Sequence, residues 1–185
     1  MKYFRSTTSK IPNTPIDFSR VRPSWKNILS KKSIYKYSTT WNKNIRSLSG
    51  EFPLPKNKRR QTKARMYKRF IEREFKNQNF NIPLFRGITG KNKEYFSKNV
   101  KYVKKPSFSS FTKNYPTALR FASAESNGLV LIMKNPKKIP SINFRNYPTE
   151  VKHEREVLLP AGIFKINKVN KPFVYISWVG RNNRA

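Results

Sequence analysis

The sequence contains no cysteine and a single histidine, His153, in 185 residues. The first absence excludes disulfides, cysteine-ligated zinc, iron–sulfur clusters and thiol catalysis. The second leaves no room for a histidine-rich metal site or a histidine relay, and no metal site is expected. Acidic residues are scarce, 9 against 41 Lys and Arg, for a net charge of +32. No apolar run approaches the roughly 20 residues of a membrane span, and no secretory hydrophobic core stands near the N-terminus. Residues 1–16 are acid-free like a mitochondrial presequence, but Pro12 and Pro15 would cut short an amphipathic helix there. The composition is compatible with a reducing or intracellular compartment, or with the inside of a virus-like particle, and selects none of them.

What is present is charge and aromatic surface. Hydrophobic residues make up 36% and aromatics 14%, enough to build a core and unlike a disordered chain. One domain is the default at this length. The positive charge is shared between the halves, +17 over residues 1–80 and +15 over residues 81–185. A polyanion is the expected partner: DNA, RNA or an acidic assembly surface. The alternative is a solvated basic surface kept soluble by self-repulsion.

Residues 1–57, interrupted by Pro12, Pro15, Pro23, Pro53 and Pro55, read as an extended basic arm with isolated aromatics, save for a helical turn or two near Trp25–Leu29. The folded part is expected from Lys58 to Ala185. Its first helix is predicted over 58–77, with Tyr67, Ile71 and Phe75 recurring every four residues beside Met66 and Phe70. A strand follows at 82–88, then a polar stretch with a short helix near Tyr95 and Phe96, and a strand over 106–112. Asn114 and Pro116 start a helix that Gly128 stops. Strands are expected at 129–134, 142–144, 155–159, 162–169 and 173–179.

Three features of the second half carry chemistry. Arg86 interrupts an apolar strand and precedes Gly87; its planar fork suits phosphate or carboxylate, and glycine lets a ligand approach the backbone. The alternative is an edge-strand arginine facing water. Ser107, Ser109, Ser110 and Thr112 punctuate a strand that leads into a helix, where hydroxyls can bond a sugar or orient a carboxylate. Glu154 and Glu156 open the strand Val157-Leu158-Leu159 and, two apart, project from one face. Paired carboxylates suit acid–base or oxocarbenium chemistry, and the alternative is a pair neutralised by nearby cations.

In this order, Leu84-Phe-Arg-Gly87, Phe108-Ser-Ser-Phe-Thr112 followed by Ala118-Leu-Arg-Phe-Ala122, and Glu154-Arg-Glu-Val-Leu-Leu-Pro160 resemble the Arg–Ser–Glu branch of the mono-ADP-ribosyltransferases, over about residues 82–170. The resemblance implies an α+β fold of two packed, roughly perpendicular sheets with flanking helices, following the basic arm. It implies NAD as substrate and an acceptor protein as partner, with arginine the residue modified. Arg86 would hold the NAD phosphates, Gly87 the nicotinamide carboxamide, and Thr112 the third place of the Ser-x-Thr motif. Ser110 would orient the catalytic glutamate and touch the ribose, although the adjacent Ser109 leaves two registers open. Glu156 would stabilise the oxocarbenium ion and Glu154 would prepare the acceptor. The loop 141–153, with Tyr147, would recognise the acceptor. The branch with a histidine in the first motif is excluded, because His153 lies beside Glu154. The alternative is a structural or nucleic-acid-binding basic component of a virion or nucleoprotein particle that keeps this fold.

Overall fold

The computed structural model describes residues 23–97, 100–124, 126–147 and 155–181. Residues 23–47, expected as an extended arm apart from a helical turn or two near Trp25–Leu29, form one helical run: α1 (Pro23–Lys36), a π-helical turn (Tyr37–Trp41) and α2 (Asn42–Ser47). The reason is visible in the residues. Pro23 occupies the first turn, where proline is tolerated, and neither proline nor glycine recurs until Gly50. Ile34, Tyr37, Trp41, Ile45 and Leu48 recur every three or four residues and form one apolar stripe. Ile34 and Ile45 are 0% and 1% exposed. Residues 1–22 of the expected arm lie outside the described residues.

Helix α3 (Lys58–Glu74) begins where expected, with the Asn57 side chain accepting the N–H groups of Arg59 and Arg60. It ends three residues earlier than its apolar repeat suggests. Phe75 is extended and Lys76–Gln78 (β1) pairs with a strand, so sheet hydrogen bonds replace the last helical turn. Ala64, Tyr67, Phe70 and Ile71 form the buried face of α3. This face and the 23–47 run share a core with Phe108, Ile142, Phe144 and Leu158. The rings of Tyr37 and Phe75 meet Phe108 edge-on at 5.7 and 5.5 Å.

The remaining elements are β2 (Leu84–Ile88), α4 (Gly90–Ser97), β3 (Tyr102–Lys105), β4 (Ser109–Thr112), α5 (Tyr115–Ala122), β5 (Leu129–Met133), β6 (Ile139–Asn143), β7 (Glu156–Leu159), β8 (Gly162–Asn170) and β9 (Phe173–Arg181). Helices and strands are mixed, as expected of an α+β protein. Nine strands among the described residues follow one order, β1-β6-β7-β4-β2-β5-β9-β8-β3. Two halves meet between β4 and β2 at a single registered pair, Phe85 opposite Thr112. Elsewhere the ladders are longer: β2 pairs with β5 over five residues, from Leu84↔Met133 to Ile88↔Leu129.

Helix α5 lies directly on β2. A Cβ on Gly87 would stand 2.1 Å from the Ala118 carbonyl oxygen and 2.6 Å from the Ala122 nitrogen. The close backbone approach that Gly87 permits is therefore first of all to α5. The structure also predicts that the N-terminal run is part of the core. Replacing Ile45 with Ala should cost about 2–5 kcal/mol in denaturant unfolding, as for other buried aliphatic truncations. A loss below about 0.5 kcal/mol would place the run outside the cooperative unit.

Candidate functional site

The halves of the sheet separate beyond the Phe85–Thr112 pair, and a cleft of about 340 Å³ opens there. That is within the usual range of roughly 300–1,000 Å³ for small-molecule sites. Its floor is built from three neighbouring strands: Phe85, Arg86 and Gly87 of β2, Ser110–Thr112 of β4, and Glu156 at the start of β7. Register explains the convergence. Thr112 is opposite both Phe85 and Glu156, so one row crosses all three strands. Arg86 Nη1 donates to the Ser110 carbonyl at 3.2 Å, which ties β2 to β4 beyond their one registered pair.

The structure thus brings Arg86, Gly87, Ser110, Thr112 and Glu156 to one cleft. Of the two adjacent serines, Ser110 lines it, whereas Ser109 is buried and borders a smaller recess with Ile88, Phe96 and Leu131. The Thr112 hydroxyl accepts the N–H of Asn114 at 2.9 Å, turning the chain into α5. Glu154 lies outside the described residues, as does 148–153 of the expected acceptor loop. Tyr147 donates its hydroxyl to Glu74 of α3 at 3.0 Å, and burial together with that carboxylate pushes its pKa up to about 12. Its hydroxyl therefore braces α3.

The other wall was not expected. Tyr37, Ser38, Asn42 and Arg46 reach the cleft from the N-terminal run, and Thr117, Ala118 and Phe121 from α5. The sequence signal for the first group was the apolar stripe that makes 23–47 helical. Tyr37, Asn42 and Arg46 follow one another at steps of five and four, which one helical wall can present together. Burial pushes the Tyr37 phenol well above the ordinary tyrosine range; Arg46 and Arg86 pull it down, Glu156 pushes it up, and a hydrogen bond with Ser110 pulls it down. Tyr37 is therefore a neutral hydroxyl among two guanidinium groups, a carboxylate and a serine.

Arg46 and Arg86 concentrate positive charge in the cleft. Burial lowers the Arg86 pKa and Arg46 adds to that, while Tyr37, Glu51 and Glu156 oppose it. Both guanidinium groups stay charged, since arginine does not deprotonate in proteins. Arg46 is held from behind. Its Nε donates to Glu51 Oε2 at 2.9 Å and its Nη2 to Oε1; Lys105 Nζ donates to Oε1 at 3.3 Å and the Ser107 hydroxyl to Oε2. Burial alone would raise the Glu51 pKa, but these hydrogen bonds and the charges of Lys105 and Arg46 hold it at about 2. The site offers two fixed cations, one carboxylate and several hydroxyls beside aromatic surface. That set suits a ligand with a diphosphate and a sugar.

No family model and no curated protein matches the sequence. Solved structures do match. The Vis toxin, an ADP-ribosyltransferase from Vibrio splendidus, is 14% identical with a TM-score of 0.63, over 89% of this chain and 77% of that one. A structure of Vis in complex with agmatine matches at 15% identity and a TM-score of 0.56, over 80% and 72%. The eukaryotic mono-ADP-ribosyltransferase ART2.2 is 14% identical with a TM-score of 0.65, over 90% and 73%. The ADP-ribosylating toxin BECa of Clostridium perfringens with NADH is 14% identical with a TM-score of 0.62; the match covers 84% of this chain and 45% of that one.

The Glu51 cluster has a testable pH signature. A carboxylate depressed to about 2 in the fold, from the ordinary 4.5, contributes stability that is complete above about pH 4.5. That contribution is lost as pH falls towards 2. Glu51→Gln should destabilise the protein at pH 7 by about 3–5 kcal/mol, because buried cations lose their anion. The gap to wild type should narrow in thermal unfolding between pH 4.5 and 2. A gap independent of pH would show that the Glu51 charge is not what holds the cluster.

Proposed function

We propose that this chain, which has the fold of the mono-ADP-ribosyltransferases, transfers ADP-ribose from NAD to a protein side chain, arginine, with release of nicotinamide. The observation that carries this reading is the convergence of Arg86, Ser110 and Glu156, from three adjacent strands, on one cationic cleft. Two further findings support it. BECa is matched in a structure with NADH, and Vis in a structure with agmatine, a guanidine like the arginine side chain.

In this reading Arg86 and Arg46 bind the diphosphate of NAD, and neither needs a metal to do so. Gly87 and Thr112 line the part of the cleft that takes the nicotinamide end. Ser110, which lines the cleft with Tyr37, orients Glu156 and the ribose. The bond between C1′ of the ribose and the nicotinamide nitrogen breaks, and its electron pair leaves with neutral nicotinamide. The Glu156 carboxylate faces the resulting oxocarbenium ion, a fixed negative charge where positive charge develops. A guanidine nitrogen of the acceptor then attacks C1′ and gives up its proton to Glu154, two residues before Glu156 in the sequence. The net charge of +32 adds a polyanion partner to the proposal.

Glu156→Gln should lower nicotinamide release by about 10²–10³ or more with the fold retained, by analogy with other electrostatic stabilisers. Activity within about threefold of wild type would remove Glu156 from the reaction. Wild type that releases no nicotinamide, and labels no arginine-containing protein from NAD, would leave the particle-component reading. Glu154→Gln should reduce arginine transfer while hydrolysis of NAD by water continues. Equal loss of both activities would contradict the division of roles between the two acids.

A further inference from the structure

Helix α3 carries its charge where a helix tolerates it least. Lys58, Arg59 and Arg60 fill its first turn and are exposed, and no acid accompanies them. The partial positive charge of a helix N-terminus disfavours cations there. Further along, Arg65, Arg69 and Arg73 are exposed at intervals of four, and like charges so spaced repel one another. Lys76 continues the series past the helix end. Of the two acids on α3, Glu72 is paired with Lys68 at 3.7 Å and Glu74 accepts the Tyr147 hydroxyl. The helix dipole favours Arg73 in the last turn and Lys76 past the helix end, but it accounts for none of Lys58, Arg59, Arg60, Arg65 and Arg69, and the buried face of α3 needs none of them.

We infer that the exposed face of α3 is a docking strip for the phosphodiester backbone of a nucleic acid. The inference rests on reading the excess charge as the footprint of a polyanion, and it names the surface and the partner. Residues four apart on a helix advance about 6 Å, so Arg65, Arg69 and Arg73 form a line of cations about 12 Å long. Successive phosphates along one strand of duplex DNA advance about 3.4 Å along its axis, so the line spans several of them. All five exposed cations between 59 and 73 are arginines, whose forked donors fit phosphate oxygens in pairs. An anionic membrane fits less well. Interfacial helices set apolar side chains beside their cations, and no large apolar residue is exposed on α3. No residue of α3 lines the cleft, so docking leaves the cleft open.

The test compares the full chain with the triple variant Arg65→Gln, Arg69→Gln, Arg73→Gln. A second triple variant, Lys165→Gln, Lys168→Gln, Lys171→Gln, removes the same charge from the β8–β9 hairpin. Binding to a 30-base-pair duplex DNA, to poly(U) RNA and to phosphatidylserine vesicles is titrated from 50 to 200 mM salt. For the duplex, each lost phosphate contact removes about 0.9 from the slope of log affinity against log salt. The α3 variant should lose about 2–3 units of slope and the hairpin variant less than 1. The duplex and RNA arms tell which nucleic acid is preferred. Equal losses for both variants, or none for the α3 variant while wild type still binds, would overturn the α3 assignment alone. Wild type that binds neither nucleic acid, or binds only vesicles, would overturn the nucleic-acid partner altogether.

Discussion

Glu51 accepts hydrogen bonds from Arg46, Lys105 and Ser107 at once, and the geometry of the cleft depends on that junction. The three donors come from α2, the end of β3 and the link into β4. Without a shared anion, Arg46 and Lys105 would be neighbouring partly buried cations, which repel and are costly to desolvate. With it, the helical wall, the strand that supplies Ser110 and a cleft-facing guanidinium are fixed together. In a chain with 9 acids and 41 Lys and Arg, the placement of one carboxylate decides where positive charge can be concentrated safely.

The second constraint is how little holds β2 to β4. Among the described residues, β2 and β4 share one registered pair, and the Arg86 bond to the Ser110 carbonyl adds a further link between the two halves of the sheet. Space that a continuous ladder would close is left open beside Glu156. Gly87 sets the depth of the opposite wall, because any side chain there would strike the Ala118 carbonyl and lift α5 away. Thr112 serves both neighbours: its backbone row aligns Glu156, and its hydroxyl turns the chain into α5.

Most of the second half of the fold was legible in the sequence. The alternation and turn residues gave β2, β4, β5, β7, β8 and β9, and the order of Arg86, Ser110 and Glu156 pointed to one site. The N-terminal wall is less legible, because prolines at 12, 15, 23, 53 and 55 flank the 24–52 interval and suggest an extended segment although none of them enters it. The stripe Ile34, Tyr37, Trp41, Ile45, Leu48 outweighs them locally. The short β1 and the early end of α3 could not be read from periodicity, because the competing partner, β6, lies more than 60 residues away.

A cationic cleft at the sheet junction and a basic strip on α3 place the charge of this chain on separate surfaces. We have proposed the cleft, completed by the N-terminal helical run, as an NAD site. Calorimetric titration of the full chain and of Arg46→Ala with NAD decides the matter. Wild type should show saturable one-to-one binding, weakened about tenfold or more when the Arg46 contact to phosphate is lost, the scale expected of a charge-assisted hydrogen bond. No saturable binding by wild type, or equal affinity in the two proteins, would contradict the proposal.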